Sequence, residues 1–153
     1  MSWYELLKFI HVLAIATWFG SGLAILVLAM RVRELPQAFG SFTVNATWWA
    51  GRAHPAAGVT LLITGLAMVS DADYIDFGDT WVWLGLIGLI AAFGIGGALI
   101  GRTADAISKS VEANGGVLAE AERPLSQQLF LYTRIELALL VLVVADMVAK
   151  PGA

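Results

Sequence analysis

The chain has 153 residues, of which 59% are hydrophobic and 14% are charged, a composition outside the range of soluble globular domains. It contains no cysteine, which excludes disulfides, thiolate metal sites and cysteine nucleophiles. This composition indicates a lipid bilayer as its surroundings. The net charge of −3 says little about partners, and no nucleic-acid-binding motif is present, so no nucleic acid is expected.

Four apolar segments follow one another along the chain, and each is long enough to cross a membrane as a helix. They comprise roughly residues 3–30, 49–69, 80–101 and 129–149. Continuous apolar runs of about 20 residues indicate helices rather than the alternating strands of a membrane barrel. The sequence predicts an all-α, polytopic membrane protein with a single domain, a four-transmembrane-helix bundle, and no internal repeat is expected.

The connections between these segments differ in charge. Arginine and lysine are concentrated between helices one and two and between helices three and four, whereas the second loop, SDADYIDFGD, is acidic. The positive-inside rule predicts both termini and the acidic loop outside the cytoplasm, with the protein in the cell (inner) membrane. Residues 33–49 are predicted to be a connection partly at the interface. The third helix is expected to continue past the membrane, break at NGG and restart near Pro124.

Small residues predict where the helices pack. Ala16, Gly20 and Ala24 recur every four positions on helix one, and a similar ridge, with Gly96 in it, lies on helix three. Such ridges allow the close backbone approach that holds membrane helices together. Helices one and three are therefore predicted to be the central pair. Helix four lacks glycine, so much of it is expected to face lipid or a partner subunit. The partner could be a second copy of the chain in a homo-oligomer or another subunit of a membrane complex.

Two histidines lie within the apolar segments, where ionisable side chains need a specific reason to be present. His11 is in the outer half of helix one, and His54 is near the cytoplasmic start of helix two. Helix rise separates them by about 15 Å along the membrane normal, too far to hold one metal ion together. His11 is expected either to bridge helices or to bind a ligand. His54 is expected to be an interfacial or capping residue.

Helix four carries three further polar residues. Arg134 is predicted to anchor the helix at the cytoplasmic interface by reaching toward the headgroups. Glu136 is deeper and is expected to be protonated or to pair with Arg52 or His54. Asp146 is predicted to reach Lys8 or His11 in the outer half, and for both acids a structural pair is preferred to a proton relay.

The run LLKFIHVLAIATWFGSGLAILVLAMR resembles the first helix of HemJ-type protoporphyrinogen oxidases and of small membrane proteins related to the copper-resistance D domain. HPAAGVTLLITGLAMV is similar to their second helix. The resemblance implies a haem b ligated through iron by His11, with Ile15 and Trp18 on the same helical face forming the wall of a porphyrin site. The lysine expected in the third helix of such enzymes is missing, which leaves the oxidase activity unsupported.

Three functional interpretations follow from the sequence. The leading one is a haem-b-binding or redox-linked membrane protein that uses His11. The second is a non-catalytic accessory or assembly subunit of a membrane complex, in which the polar residues only hold helices together. The third is a small carrier or channel, for which His11, Glu136 and Asp146 would need to line one polar path.

Overall fold

The computed structural model describes residues 1–151 and is helical nearly throughout. The elements are α1 (Trp3–Val32), α2 (Pro36–Asp71), α3 (Thr80–Gly94), a π-helical segment (Ile95–Gly101), α4 (Arg102–Ala113), a 3-10 turn (Glu120–Glu122) and α5 (Arg123–Ala149). Four helices are long and apolar enough to cross a membrane, because α3, the π-helical segment and α4 form one continuous helix. The predicted all-α membrane fold is confirmed.

The second helix is much longer than the sequence indicated. It begins at Pro36, not near residue 49, so most of the predicted interfacial connection is helical. Proline suits this first position because its fixed φ matches the helix and its missing amide proton is not needed there. His54 consequently lies in the interior of α2. The expectation that it caps the helix is wrong.

The other predicted boundaries agree with the structure. The third helix extends to Ala113, and the chain then reverses through Gly115 and Gly116, which have φ values of 65° and 93°. Glycine adopts these left-handed conformations without the steric cost of a side chain. Pro124 lies in the first turn of α5. The predicted break at NGG and the restart at Pro124 are both confirmed.

The helices pack as two antiparallel pairs. α1 lies along α2, and α3 lies along α5, while α4 contacts the first half of α2. α1 and α3 share no comparable interface, so the prediction that they form the central pair is wrong. Gly20 is exposed and a Cβ placed on it would meet nothing within 4 Å. The ridge on the third helix does pack, but against α5: Gly88 faces Val143, and Gly96 faces Glu136.

The two ends of the bundle differ in charge. The end formed by the α1–α2 and α4–α5 connections carries Arg31, Arg33, Arg102 and Arg123 and is called the basic end here. The opposite end holds the acidic 71–79 loop and is called the acidic end. Between them the outer surface is apolar, with exposed side chains such as Leu13, Ile63, Ile90 and Leu142. This band has the composition of a lipid-facing surface.

A short segment of α1 recurs in α2, contrary to the expectation that the chain has no internal repeat. Residues 11–24, HVLAIATWFGSGLA, and residues 54–67, HPAAGVTLLITGLA, are identical at six of fourteen positions. A hydroxyl also recurs, as Ser21 and Thr64. Because the two helices run in opposite directions, the repeat generates a local two-fold relation, as in the inverted repeats of many transporters.

Candidate functional site

Two histidine–hydroxyl hydrogen bonds join α1 to α2, and the repeat relates them to each other. His11 Nδ1 is 2.8 Å from Thr64 Oγ1, and His54 Nε2 is 3.0 Å from Ser21 Oγ. Each imidazole Cε1 also lies over a glycine of the opposite helix, Gly65 for His11 and Gly22 for His54. The histidines are therefore held at opposite depths, as the helix rise predicted.

The partner hydroxyls determine which ring nitrogen carries the proton. Thr64 donates its hydroxyl proton to the carbonyl of Thr60 at 2.6 Å, so it accepts from His11 Nδ1–H. Ser21 donates in the same way to the carbonyl of Thr17 at 2.6 Å and accepts from His54 Nε2–H. A neutral imidazole has one donor and one acceptor nitrogen. Nε2 of His11 and Nδ1 of His54 are therefore left as acceptors.

A cavity of about 300 Å³ lies beside His54, in the half of the bundle nearer the basic end. Its walls come from all four long helices and are mostly apolar or glycine. The polar side chains among its lining residues are Thr43, Thr47, His54, Thr133 and Glu136. The inner histidine of the repeat thus faces a cavity, whereas His11 does not line it.

Glu136 is the most unusual residue of this cavity. Its side chain is only 2% exposed, and Oε1 has no hydrogen-bond partner among the described residues. The carboxyl group fits against α3's continuation because Gly96 has no side chain: a Cβ there would lie 2.7 Å from Oε1. A buried carboxylate without a partner costs several kcal/mol, so the site is incomplete without a proton or a cation.

Trp18 forms the floor of the cavity. It is 1% exposed, its ring is stacked 6.1 Å from that of His54, and it meets Phe93 edge-on at 5.3 Å. Its indole Nε1 lies close to the Glu136 carboxyl group, although the contact falls outside hydrogen-bonding geometry for Nε1 and for Oε1. Glu136 and Trp18 therefore offer an unused acceptor and an unused donor at the same place.

Backbone groups add further polarity to the walls. Pro55 has no amide proton, so the carbonyl of Gly51, one turn earlier in α2, loses its intrahelical donor. Gly51 and Pro55 both line the cavity, and the π-helical segment forms the opposite wall with Gly96, Gly97 and Gly101. Single π-helical turns in membrane and soluble helices are frequent at functional sites. Pro55 and the glycine run of the third helix were the sequence signals for this site.

The other polar residues singled out from the sequence lie elsewhere. Arg52 donates to the carbonyl of Trp48 and lies over its ring, so it does not pair with Glu136. Arg134 is exposed, with its guanidinium 3.3 Å from the sulfur of Met30. Asp146 lies in the other half of α5, near Gly85, and makes no ion pair with Lys8 or His11.

A porphyrin does not fit at the residues to which the sequence resemblance assigned it. The His11 ring packs onto Gly65 of α2, and Ile15 and Trp18 are packed within the central cluster of buried residues. No slot separates His11 from Trp18, because α2 occupies that face of α1.

Comparison with known proteins gives a family but no chemistry. A family model described as "Predicted integral membrane protein (DUF2269)" matches residues 5–151. No curated protein and no solved structure matches the chain. Within residues 1–151 there is also no group of three or more His, Cys, Asp or Glu side chains placed to hold a metal ion.

Proposed function

We propose that this chain, which belongs to the DUF2269 family of predicted integral membrane proteins, is a small carrier for organic cations. Its cavity between the four long helices is the binding site. Glu136 supplies the counter-charge, and His54 and the neighbouring hydroxyls orient the ligand. The single observation that supports this function most directly is the buried Glu136 carboxyl group, which faces a cavity and has no hydrogen-bond partner for Oε1.

The charge of the ligand follows from the cost of burying Glu136. In the empty cavity a proton neutralises the carboxylate, because an unpaired charge is expensive in a low-dielectric interior. A cationic ligand that enters the cavity takes over this role and releases the proton. One positive charge enters as another leaves, so the exchange changes no net charge.

The size and shape of the ligand follow from the walls. A volume of about 300 Å³ is at the lower limit of known small-molecule sites. Phe93, which is partly exposed, provides an aromatic surface in the cavity wall, and aromatic rings attract organic cations through their π faces. The cavity therefore favours a compact ligand with one positive charge and an apolar or aromatic body.

The inverted repeat supports transport over simple binding. In transporters, inverted repeats surround the binding site and allow it to open to either side of the membrane. Here the repeat gives His54 at one depth a counterpart in His11 at the other. Of His11, Glu136 and Asp146, only Glu136 lines the cavity, so the continuous polar path expected from the sequence is not present. A carrier whose site opens to one side of the membrane at a time does not need such a path.

Binding of a permanent cation to the purified protein tests this function. Benzyltrimethylammonium should bind, whereas neopentylbenzene, its neutral isostere, should not. Glu136→Gln removes the charge at constant volume, and we expect it to weaken binding about 100-fold, the loss typical for a buried charged partner (about 3 kcal/mol). Calorimetry in two buffers of different ionisation enthalpy should detect the released proton.

Equal binding of the cation by wild-type protein and Glu136→Gln would refute the proposal. Glu112→Gln, the same change at an exposed carboxylate outside the cavity, is the matched control and should bind nearly as well as the wild type. A protein that binds neither probe would favour the accessory-subunit interpretation.

The proposal includes a cell (inner) membrane location with the basic end in the cytoplasm, which the arginine distribution supports. Single cysteines report this orientation in intact cells. Asp73 and Glu112 are suitable positions, because they are exposed on opposite ends of the bundle, whereas Ser110 near Glu112 is buried. A cysteine at Asp73 should react with an impermeant maleimide from outside, and one at Glu112 only after permeabilisation. The reverse pattern would invert the orientation.

A further inference from the structure

We infer that the ligand reaches the cavity sideways from the bilayer, through a gap between α2 and the π-helical segment. This inference rests on the proposed function and narrows its substrate class to cations that dissolve in the membrane. The gap is bordered by Gly51 on α2 and by Gly97 and Gly101 on the π-helical segment.

Three glycines give this wall its opening. Gly51, Gly97 and Gly101 line the cavity and are also exposed on the outer surface of the bundle. A Cβ built on Gly51 or on Gly97 would meet nothing within 4 Å. Both sides of the wall at this point therefore consist of bare backbone with space around it.

The packing of α2 explains why the gap exists. α2 touches the third helix on both sides of the gap: Gly58 lies against Phe93, and Gly40 lies against Val111 and also meets the carbonyl of Gly116 in the following turn. Between these contacts the π-helical segment packs on α5 instead of α2. The two helices are thus held together above and below the opening and separated at the depth of Glu136 and His54.

The surroundings of the gap determine what passes through it. Its borders lie in two helices that are long and apolar enough to cross a membrane. The exposed side chains beside it include Trp48, Trp49 and Leu99, which favours contact with lipid over bulk water. The Gly51 carbonyl, which lacks a donor because of Pro55, is available to a cationic head group. Arg52 is turned along α2 to the carbonyl of Trp48 and does not obstruct this position. A cation with an apolar body fits these surroundings, because the body partitions into the bilayer and the charged head group can contact the Gly51 carbonyl.

Closing the gap should slow the entry and the exit of the ligand far more than it changes affinity. Gly97→Leu adds a side chain to the border in open space, so the helix packing is kept. We expect the association and dissociation rates of N-butylpyridinium to fall together by about tenfold in protein reconstituted into liposomes, with a much smaller change in Kd. The cation quenches tryptophan, and the difference between wild-type protein and Trp18→Phe isolates the cavity signal. Gly20→Leu and Gly94→Leu are matched controls, since both glycines are exposed with nothing near their Cβ positions and neither lines the cavity.

Unchanged rates in Gly97→Leu would overturn the lateral route while leaving the carrier proposal intact. Lipids with brominated acyl chains give a second test. If they quench Trp18 and N-butylpyridinium does not relieve this quenching, the route would also be overturned, because the gap would then hold a lipid tail. Failure of the wild type to bind any cation would instead refute the carrier function itself.

Discussion

Gly58→Ala should destabilise the protein by about 1–3 kcal/mol, the cost of overfilling a packed core, although alanine is the better helix former. A Cβ at this position would overlap the ring of Phe93 and lie 2.8 Å from Cζ3 of Trp18. Trp18 cannot retreat easily, because it is 1% exposed and stacks on His54 as well. Phe93 would have to turn into the cavity that it lines, and it would lose its contact with Trp18. Gly58→Leu should yield no folded protein.

Thermal unfolding in detergent, followed by near-UV circular dichroism, measures this effect. Gly20→Ala is the matched control, because Gly20 is in the interior of α1 with open space around it. Alanine there should be neutral or stabilising by up to about 1 kcal/mol from helix propensity. If both variants behave alike, the junction of Gly58, Trp18 and Phe93 is not a close contact.

Glu136→Met should stabilise the protein by about 1–3 kcal/mol, the usual cost of an unsatisfied buried polar group. Methionine has a similar length and removes the oxygen that has no hydrogen-bond partner beside Gly96. A functional group that lowers stability is expected where a site is built for a ligand. The same variant should lose cation binding.

Glu136→Gln separates polarity from charge in this experiment. Glutamine keeps polar atoms in the same place, so its stability should stay close to that of the wild type while cation binding is lost. Ile135→Met, on the exposed neighbouring position, controls for the presence of methionine and should change little. A lower melting temperature for Glu136→Met would indicate that Glu136 has a structural partner.

The sequence was sufficient for the number of helices and for their breaks. The uncharged run 80–101, the NGG turn and Pro124 depend on local chemistry, namely hydropathy and backbone conformation. The extension of α2 from Pro36 was missed because its first turns are polar, as expected of a helix that leaves the membrane. Because this one boundary was predicted too late in the chain, His54 was expected at the start of the helix, whereas it lies in the interior.

The packing of the helices could not be predicted because a membrane protein lacks the usual contrast between an apolar core and a polar surface. Lipid tails are as apolar as a protein core, so small residues on a lipid-facing side resemble those at an interface. The ridge of Ala16, Gly20 and Ala24 is exposed, whereas Gly96 on the third helix is in contact with Glu136. The cavity site was missed for a related reason: it depends on where α2 and the π-helical segment fail to touch.

The inverted repeat has a consequence for assembly. Since α1 and α2 present the same histidine, hydroxyl and glycine to each other, α1 of one molecule has the surface needed to pair with α1 of another. Such a pair would need two copies of α1 that run in opposite directions. When all molecules insert in the same orientation, every α1 runs in the same direction across the membrane. The bilayer therefore prevents the antiparallel pairing of two α1 helices, which would be possible in water. Protein that inserts in both orientations would lose this protection, and its α1 helices could exchange partners between molecules.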